Sequence, residues 1–170
     1  MFLFKSKIEQ KAEKLAGNTY DNTPEFSFKG REFLAKVLDV YDGDTITITV
    51  KVDDQYYRMN CRLNGLDTPE LKSHDEMEKI AGKMARKHLI NMITKGNISL
   101  EITRDEIRKI CADSNSILLI KCFDFDKYGR LLVEIHDSTG CLNDKMVDDG
   151  FAGRYDGGTK GEWRNYFKHL

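Results

Sequence analysis

Three short clusters carry the residue types that could do chemistry: Asp42 and Asp44 around Gly43, Arg62 through Glu70, and Lys127 through Arg130. Between them they place four acids and two arginines at element boundaries, where side chains can converge. Carboxylates with a backbone carbonyl make an all-oxygen set suited to a hard divalent cation. Two guanidiniums answer the negative charge that builds on phosphate oxygens during in-line displacement, through charge-assisted and often bidentate hydrogen bonds, a geometry lysine fits less well. An arginine keeps its proton at any working pH and is no natural general base, whereas a carboxylate such as Glu70 can accept a proton or orient a water. Taken singly, each cluster has an ordinary reading. A carboxylate beside Gly43 suits a turn, an Asp-Thr-Pro run opens helices, and a lone arginine is usually solvated or paired.

The elements that must position these groups follow from periodicity. Over Thr45 to Val52, Ile46, Ile48, Val50 and Val52 alternate with Thr45, Thr47, Thr49 and Lys51, the pattern of a half-buried strand. Asp53 and Asp54 make a turn, and Tyr57, Met59, Cys61 and Leu63 alternate again, which puts Arg58 and Arg62 on one face of a hairpin. Asn64 and Gly65 end that strand before the irregular run Leu66 to Glu70. From Met77 to Ile93 the apolar residues mark one face of a helix of about five turns, closed by Gly96 after Lys95. Ile98 to Ile102 reads as a short strand, and Thr103 with Glu106 forms a capping box for a second helix. Ile117 to Phe123 and Leu131 to His136 are strand-like and joined by a tight connection through Lys127, Tyr128 and Gly129. Asn143 reads as an N-cap with Leu142 and Val147 as staple and Gly150 as stop, and a last helix is expected around Trp163 and Phe167.

The ends carry weaker signals. Phe4, Ile8, Ala12 and Leu15 recur at helical spacing among Lys5, Lys7, Lys11 and Lys14, a basic amphipathic helix whose apolar groups are expected to pack on the domain or fray. Gly17 to Lys29 reads as linker, and Gly157, Gly158, Lys160 and Gly161 match no phosphate-cradling pattern and read as a flexible connection. The expected architecture is α+β: a five-stranded Greek-key barrel of OB type with two or three flanking helices over residues 31–156, between an extension at 1–30 and a tail at 157–170.

Composition bounds the possibilities. With 32% charged and 40% hydrophobic residues over 170 positions, the chain has an ordinary globular balance and room for one core. A net charge of -1 requires any nucleic-acid partner to be held by a local basic surface. Cys61, Cys111, Cys122 and Cys141 show no CxxC pair, which removes most structural zinc arrangements, and His74, His88, His136 and His169 are scattered, so the expectation is reduced cysteines, with a disulfide the minority alternative, and no catalytic histidine. The apolar opening Met1 to Phe4 gives way to Lys5 too early for a signal peptide or membrane span, and an intracellular location is expected. Lys72, Lys79, Lys83, Arg86 and Lys87 give the long helix a basic flank, read as a solvated face.

In order along the chain, Asp42-Gly43-Asp44-Thr45, Arg62-Leu63, Asp67-Thr68-Pro69-Glu70 and Asp126-Lys127-Tyr128-Gly129-Arg130 resemble the staphylococcal nuclease-like, or thermonuclease, family from about Phe33 to Ala152. The resemblance implies an OB barrel with flanking helices. It also implies Asp44 and Asp67 as acidic Ca2+ ligands, the Thr68 backbone carbonyl as a third, and Asp42 as an acid behind them. Arg62 and Arg130 would contact phosphate, Glu70 would position or deprotonate the attacking water, and Lys127 with Tyr128 would hold a terminal phosphate. Tyr155 stands near the place of a family tyrosine that meets the substrate.

By the same resemblance the chain is expected to be a calcium-dependent endonuclease of single-stranded or locally open DNA and RNA, with little sequence specificity and 3′-phosphate products, needing neither a membrane nor an obligate protein partner. Two departures stand out: 96–116 is longer than the family's usual link, and the tail after Tyr155 does not match. A barrel that binds without cleaving, and a domain that docks through the basic N-terminal helix, are the rival readings. Intact Arg62, Glu70 and Arg130 oppose the first.

Overall fold

A computed structural model describes residues 6–170, so the expected opening at Met1 to Phe4 and the helix start at Lys5 lie outside the described residues. In chain order the elements are α1 (Lys7–Ala16), β1 (Glu32–Val40), β2 (Thr45–Val52), β3 (Gln55–Leu63), β4 (Leu66–Asp67), α2 (Glu76–Thr94), α3 (Arg104–Asp113), β5 (Ile117–Phe125), β6 (Leu131–Asp137), β7 (Gly140–Cys141), α4 (Leu142–Asp148) and β8 (Gly153–Arg154).

Five strands run in the order β3-β2-β1-β5-β6, and a parallel pairing of β3 with β6 closes them into a barrel. Alternation supplies its lining: Val37, Ile46, Ile48, Cys61, Leu63, Ile120, Leu131, Val133 and Ile135 are all at most 2% exposed. The β2–β3 hairpin turns at Asp53 and Asp54, both at positive φ (46° and 69°), the short-loop geometry that aspartate tolerates and that matches strand twist. The α+β barrel expected from the sequence is therefore present, with α2, α3 and α4 against it.

Helix α2 buries Ala81, Gly82, Ala85, Leu89, Ile90 and Ile93 and starts at the Asp75 cap, whose side chain accepts from Met77 N at 2.9 Å. Its end differs from expectation, since the left-handed residue is Lys95 (φ 56°) and not Gly96. Helix α3 carries the expected Thr103–Glu106 capping box and is tied to β1 by Asp39, which accepts from Arg104 Nε and Arg108 Nε at 2.9 Å each.

Other expectations are corrected. Ile98 to Ile102 forms no strand, and Asn91 Oδ1 accepts from the Ile98 amide at 3.0 Å in place of a ladder partner. Cys141, not Asn143, precedes α4. Asn143 is buried and bonds Ile135 N, Asn64 O and Val133 O, each at 3.0 Å, so its amide serves the barrel rather than its own helix. The tail has only a single 3-10 turn, Trp163–Asn165. The expected linker contains a core residue: Phe28 is 5% exposed and meets Phe26, Phe33 and Phe125 edge-on or tilted. Helix α1 packs no apolar group on the domain, with Ile8 79% and Leu15 71% exposed.

None of the four cysteines is in a disulfide. Among the described residues, no helix is long and apolar enough to cross a membrane.

Candidate functional site

One mouth of the barrel gathers the three clusters because strand register puts their ends together. Thr45 pairs with Arg62 across β2 and β3, and Arg62 pairs with Leu132 across β3 and β6, so Asp44, Arg62 and Arg130 all fall at this mouth. The Leu63 amide donates to Asp44 O at 2.7 Å and fixes the 42–44 turn against β3. The turn has to be tight: a Cβ on Gly43 would come within 2.8 Å of Thr68 Cγ2 and 2.9 Å of Ala85 Cβ. Asp67 is brought in by β4, whose partner β8 sets Asp67 opposite Gly153.

Arg62 is the hinge of the charge arrangement. Its Nη1 forms an ion pair with Asp44 Oδ2, its Nη2 lies 2.8 Å from Asp67 Oδ1, and its guanidinium carbon stands 5.8 Å from the centroid of the Tyr155 ring. Asp44 receives a second bond from Thr45 Oγ1 at 2.8 Å, and Asp42 Oδ1 accepts from the Asp44 amide at 3.2 Å. Burial, followed by the charge of Asp42, pushes the Asp44 carboxyl up to about 7 in spite of Arg62. Such a carboxylate gains from any further cation placed against it.

Arg130 is aimed by Asp126. Its Nε and Nη2 both lie 2.7 Å from Asp126 Oδ2, and its Nη1 donates to Thr45 Oγ1 at 3.2 Å. The other carboxylate oxygen, Asp126 Oδ1, closes the 126–130 turn by accepting from the amides of Tyr128 and Arg130 at 2.9 Å each. Burial opposes ionisation of Asp126, but these bonds outweigh it and hold the carboxyl below its ordinary range. Tyr128, 72% exposed, lies under both Arg130 and Lys127, with cation-to-centroid distances of 5.5 and 5.1 Å.

A cleft of about 590 Å³ is lined by Asp42, Asp44, Arg62, Thr68, Glu70, Lys127, Tyr128, Arg130 and Tyr155, with Asp67 buried beside them on Arg62. All the site residues expected from the sequence thus meet in one place. Arg58 does not: it lines a separate cleft with Asp39, Arg104 and Arg108. The basic flank of α2 is partly paired, Lys79 with Glu76 and Lys83 with Glu101, as a solvated face would be.

One residue of the cleft was hidden in the sequence. Lys160 Nζ reaches Glu70 Oε1 at 2.6 Å and Asp67 Oδ1 at 2.9 Å. No local pattern around Lys160 could have revealed this, because its partners are about ninety positions away. The neighbouring carboxylates outweigh burial and push the Lys160 ammonium up to about 12.

The donor set fits a hard cation. Asp44, Asp67 and the Thr68 carbonyl offer oxygen atoms only, the two acids are 5% and 8% exposed at the side chain, and Arg62 and Lys160 stand against them. Separately, Glu134, His136 and Cys141 bring three donor atoms within 4.8 Å of one another on β6 and β7.

Two likenesses to known proteins bear on this site. The thermonuclease of Staphylococcus hyicus is 28% identical over 117 residues, which cover 69% of this chain and 56% of that protein, so the chain spans little more than half the length of this curated relative. The family model described as staphylococcal nuclease homologue matches residues 60–168, the stretch that carries Arg62, Asp67, Glu70 and Arg130, and it runs on through the tail after Tyr155 that was expected to depart from the family. The site geometry is thus set on a sequence that belongs to the staphylococcal nuclease homologue family.

Proposed function

We propose that this protein is a calcium-dependent endonuclease that hydrolyses phosphodiester bonds of single-stranded or locally open DNA and RNA with little sequence preference. The observation that carries this reading is the convergence of two arginines, two buried aspartates and a solvent-reached glutamate on one cleft. The likeness to a thermonuclease agrees with it.

In this reading Asp44, Asp67 and the Thr68 carbonyl hold Ca2+, which would supply charge at the phosphate oxygens. Arg62 and Arg130 bind the scissile phosphate and stabilise the charge that grows on its equatorial oxygens. Asp126 and Thr45 keep the Arg130 fork oriented, so little is reorganised as the reaction proceeds. Glu70 orients the attacking water and takes its proton. Lys127 and Tyr128 hold a neighbouring phosphate, and the exposed ring of Tyr128 offers a face on which any base can stack, with the half-buried ring of Tyr155 beside Arg62, consistent with weak sequence preference. The bond from phosphorus to the new water oxygen forms as the P–O5′ bond breaks, leaving a 3′-phosphate and a 5′-oxygen that takes its proton from solvent.

The test is cleavage of labelled single-stranded DNA and RNA with calcium, with chelator, and by Glu70→Gln. Cleavage lost with chelator and reduced about 10²–10⁴-fold in Glu70→Gln supports the reading. Binding without cleavage by the wild type would replace it with a non-catalytic binding barrel.

A further inference from the structure

The tail that the sequence presents as a loose connection is pinned across the cleft at both ends. At one end the Tyr155 amide donates to Gly65 O at 3.0 Å and its hydroxyl to Gly158 O at 3.1 Å. At the other, Arg164 pairs with Asp75, Lys168 N donates to Gly150 O at 3.1 Å, and Phe151 stacks on His169. The strap between them delivers Lys160, whose ammonium bridges Asp67 and Glu70. A lysine held at once by the acid read as a metal ligand and the acid read as the base is in the one place where it meets both functions.

We propose that Lys160 is the resident counter-ion of these two acids: it occupies Asp67 and orients Glu70, and a divalent cation taking Asp67 must displace it. This rests on the reading of Asp67 as a metal ligand. Two cations that share one carboxylate are antagonistic, and linkage makes the antagonism mutual. Removing the ammonium therefore tightens metal binding instead of weakening it, the opposite of what loss of a merely structural lysine would do.

Calorimetric titration with Ca2+ of the wild type, Lys160→Met, Lys160→Arg and Asp67→Asn tests this without recourse to activity. The expected result is affinity about tenfold higher for Lys160→Met, a near wild-type value for Lys160→Arg, and loss of binding for Asp67→Asn. Unchanged or weaker binding by Lys160→Met, with Asp67→Asn still abolishing it, overturns the role of Lys160 and leaves the metal site standing. Absence of binding by wild type and Lys160→Met alike overturns the metal reading and this inference with it. Lys160→Gln, which removes the charge but keeps a polar, hydrogen-bonding head, guards against a folding defect in the methionine variant.

A second cluster stands apart from this cleft. Glu134 and His136 are two residues apart on one face of β6, and His136 is in register with Cys141 on β7. Their donor atoms all lie within 4.8 Å, and the 3.4 Å between Glu134 Oε2 and His136 Nε2 is close to the edge of a tetrahedron whose ligands sit about 2.1 Å from a centre. A thiol, an imidazole and a carboxylate together suit a borderline ion such as Zn2+ and not calcium. The geometry points to a surface Zn2+ site on the β6–β7 hairpin. Titration with Co2+ reads it directly: one equivalent should produce thiolate-to-cobalt charge transfer and tetrahedral ligand-field bands, both lost in Cys141→Ser and weakened in His136→Gln. No bands in the wild type, or bands that survive Cys141→Ser, would overturn it.

Discussion

Gly82 on α2 lies directly beneath Pro69: a Cβ at this position would stand 2.8 Å from the Pro69 carbonyl oxygen and 3.2 Å from the Glu70 carbonyl carbon. The loop that carries Thr68 and Glu70 is thus seated on a helix through the one residue that has no side chain. Gly82→Ala should favour the helix by about 1 kcal/mol in propensity yet push the loop outward. We expect cleavage to fall about 10–100-fold, the effect of misplacing reacting groups by a fraction of an ångström to 1 Å. Far-ultraviolet circular dichroism should be unchanged, and a variant as active as the wild type would show that the loop yields freely.

Arg130 makes three side-chain hydrogen bonds or ion contacts, two to Asp126 and one to Thr45, and these fix the plane of its fork. Arg130→Lys keeps the charge and loses the plane. Cleavage by this variant should fall about 10²–10³-fold with little change in Tm, measured as kcat on labelled single-stranded DNA. A loss expressed only in KM would assign Arg130 to substrate binding alone.

Asn143 is a stability determinant. Its amide satisfies the Ile135 N–H and the Asn64 and Val133 carbonyls in a buried position. Asn143→Ala strands these groups, which should cost roughly 3 kcal/mol and lower Tm by about 6–12 °C. Thermal unfolding followed by circular dichroism measures it; a change under 2 °C would mean that water replaces the amide.

Asp137 should govern acid stability. Burial raises its pKa, but the Lys95 ammonium and the Thr139 hydroxyl and amide outweigh it and hold the carboxyl well below the usual range. With the folded pKa depressed, its stabilising contribution is complete above the unfolded value of about 4 and is lost as pH falls below that. Asp137→Asn should therefore unfold more readily than the wild type in urea at pH 7, with the gap closing between about pH 4 and 2. A gap independent of pH would show that the packing, and not the charge, of Asp137 matters.

Much of this protein was legible in its sequence, and the reason is local. The alternation over Thr45–Val52 and the Thr103–Glu106 box are patterns of neighbouring residues that depend on side-chain type and backbone period, while the order of Asp44, Arg62, Asp67, Glu70 and Arg130 was legible through its resemblance to a known family. What escaped depended on contacts between distant positions. Ile98–Ile102 has strand-like composition but gives its first amide to the Asn91 side chain, Asn143 has a capping side chain that long-range carbonyls claim, and Phe28 sits in an apparent linker yet fills the core. Lys160 shows the same limit at the site: glycines around it signal only a chain free to bend, and its approach to Asp67 and Glu70 is decided by the pairing of β4 with β8 and the anchoring of Arg164 on Asp75. The sequence by itself therefore determined which groups could do chemistry and the elements that carry them. Only the tertiary structure decided which cation stands against which acid, because that depends on where the chain returns in space.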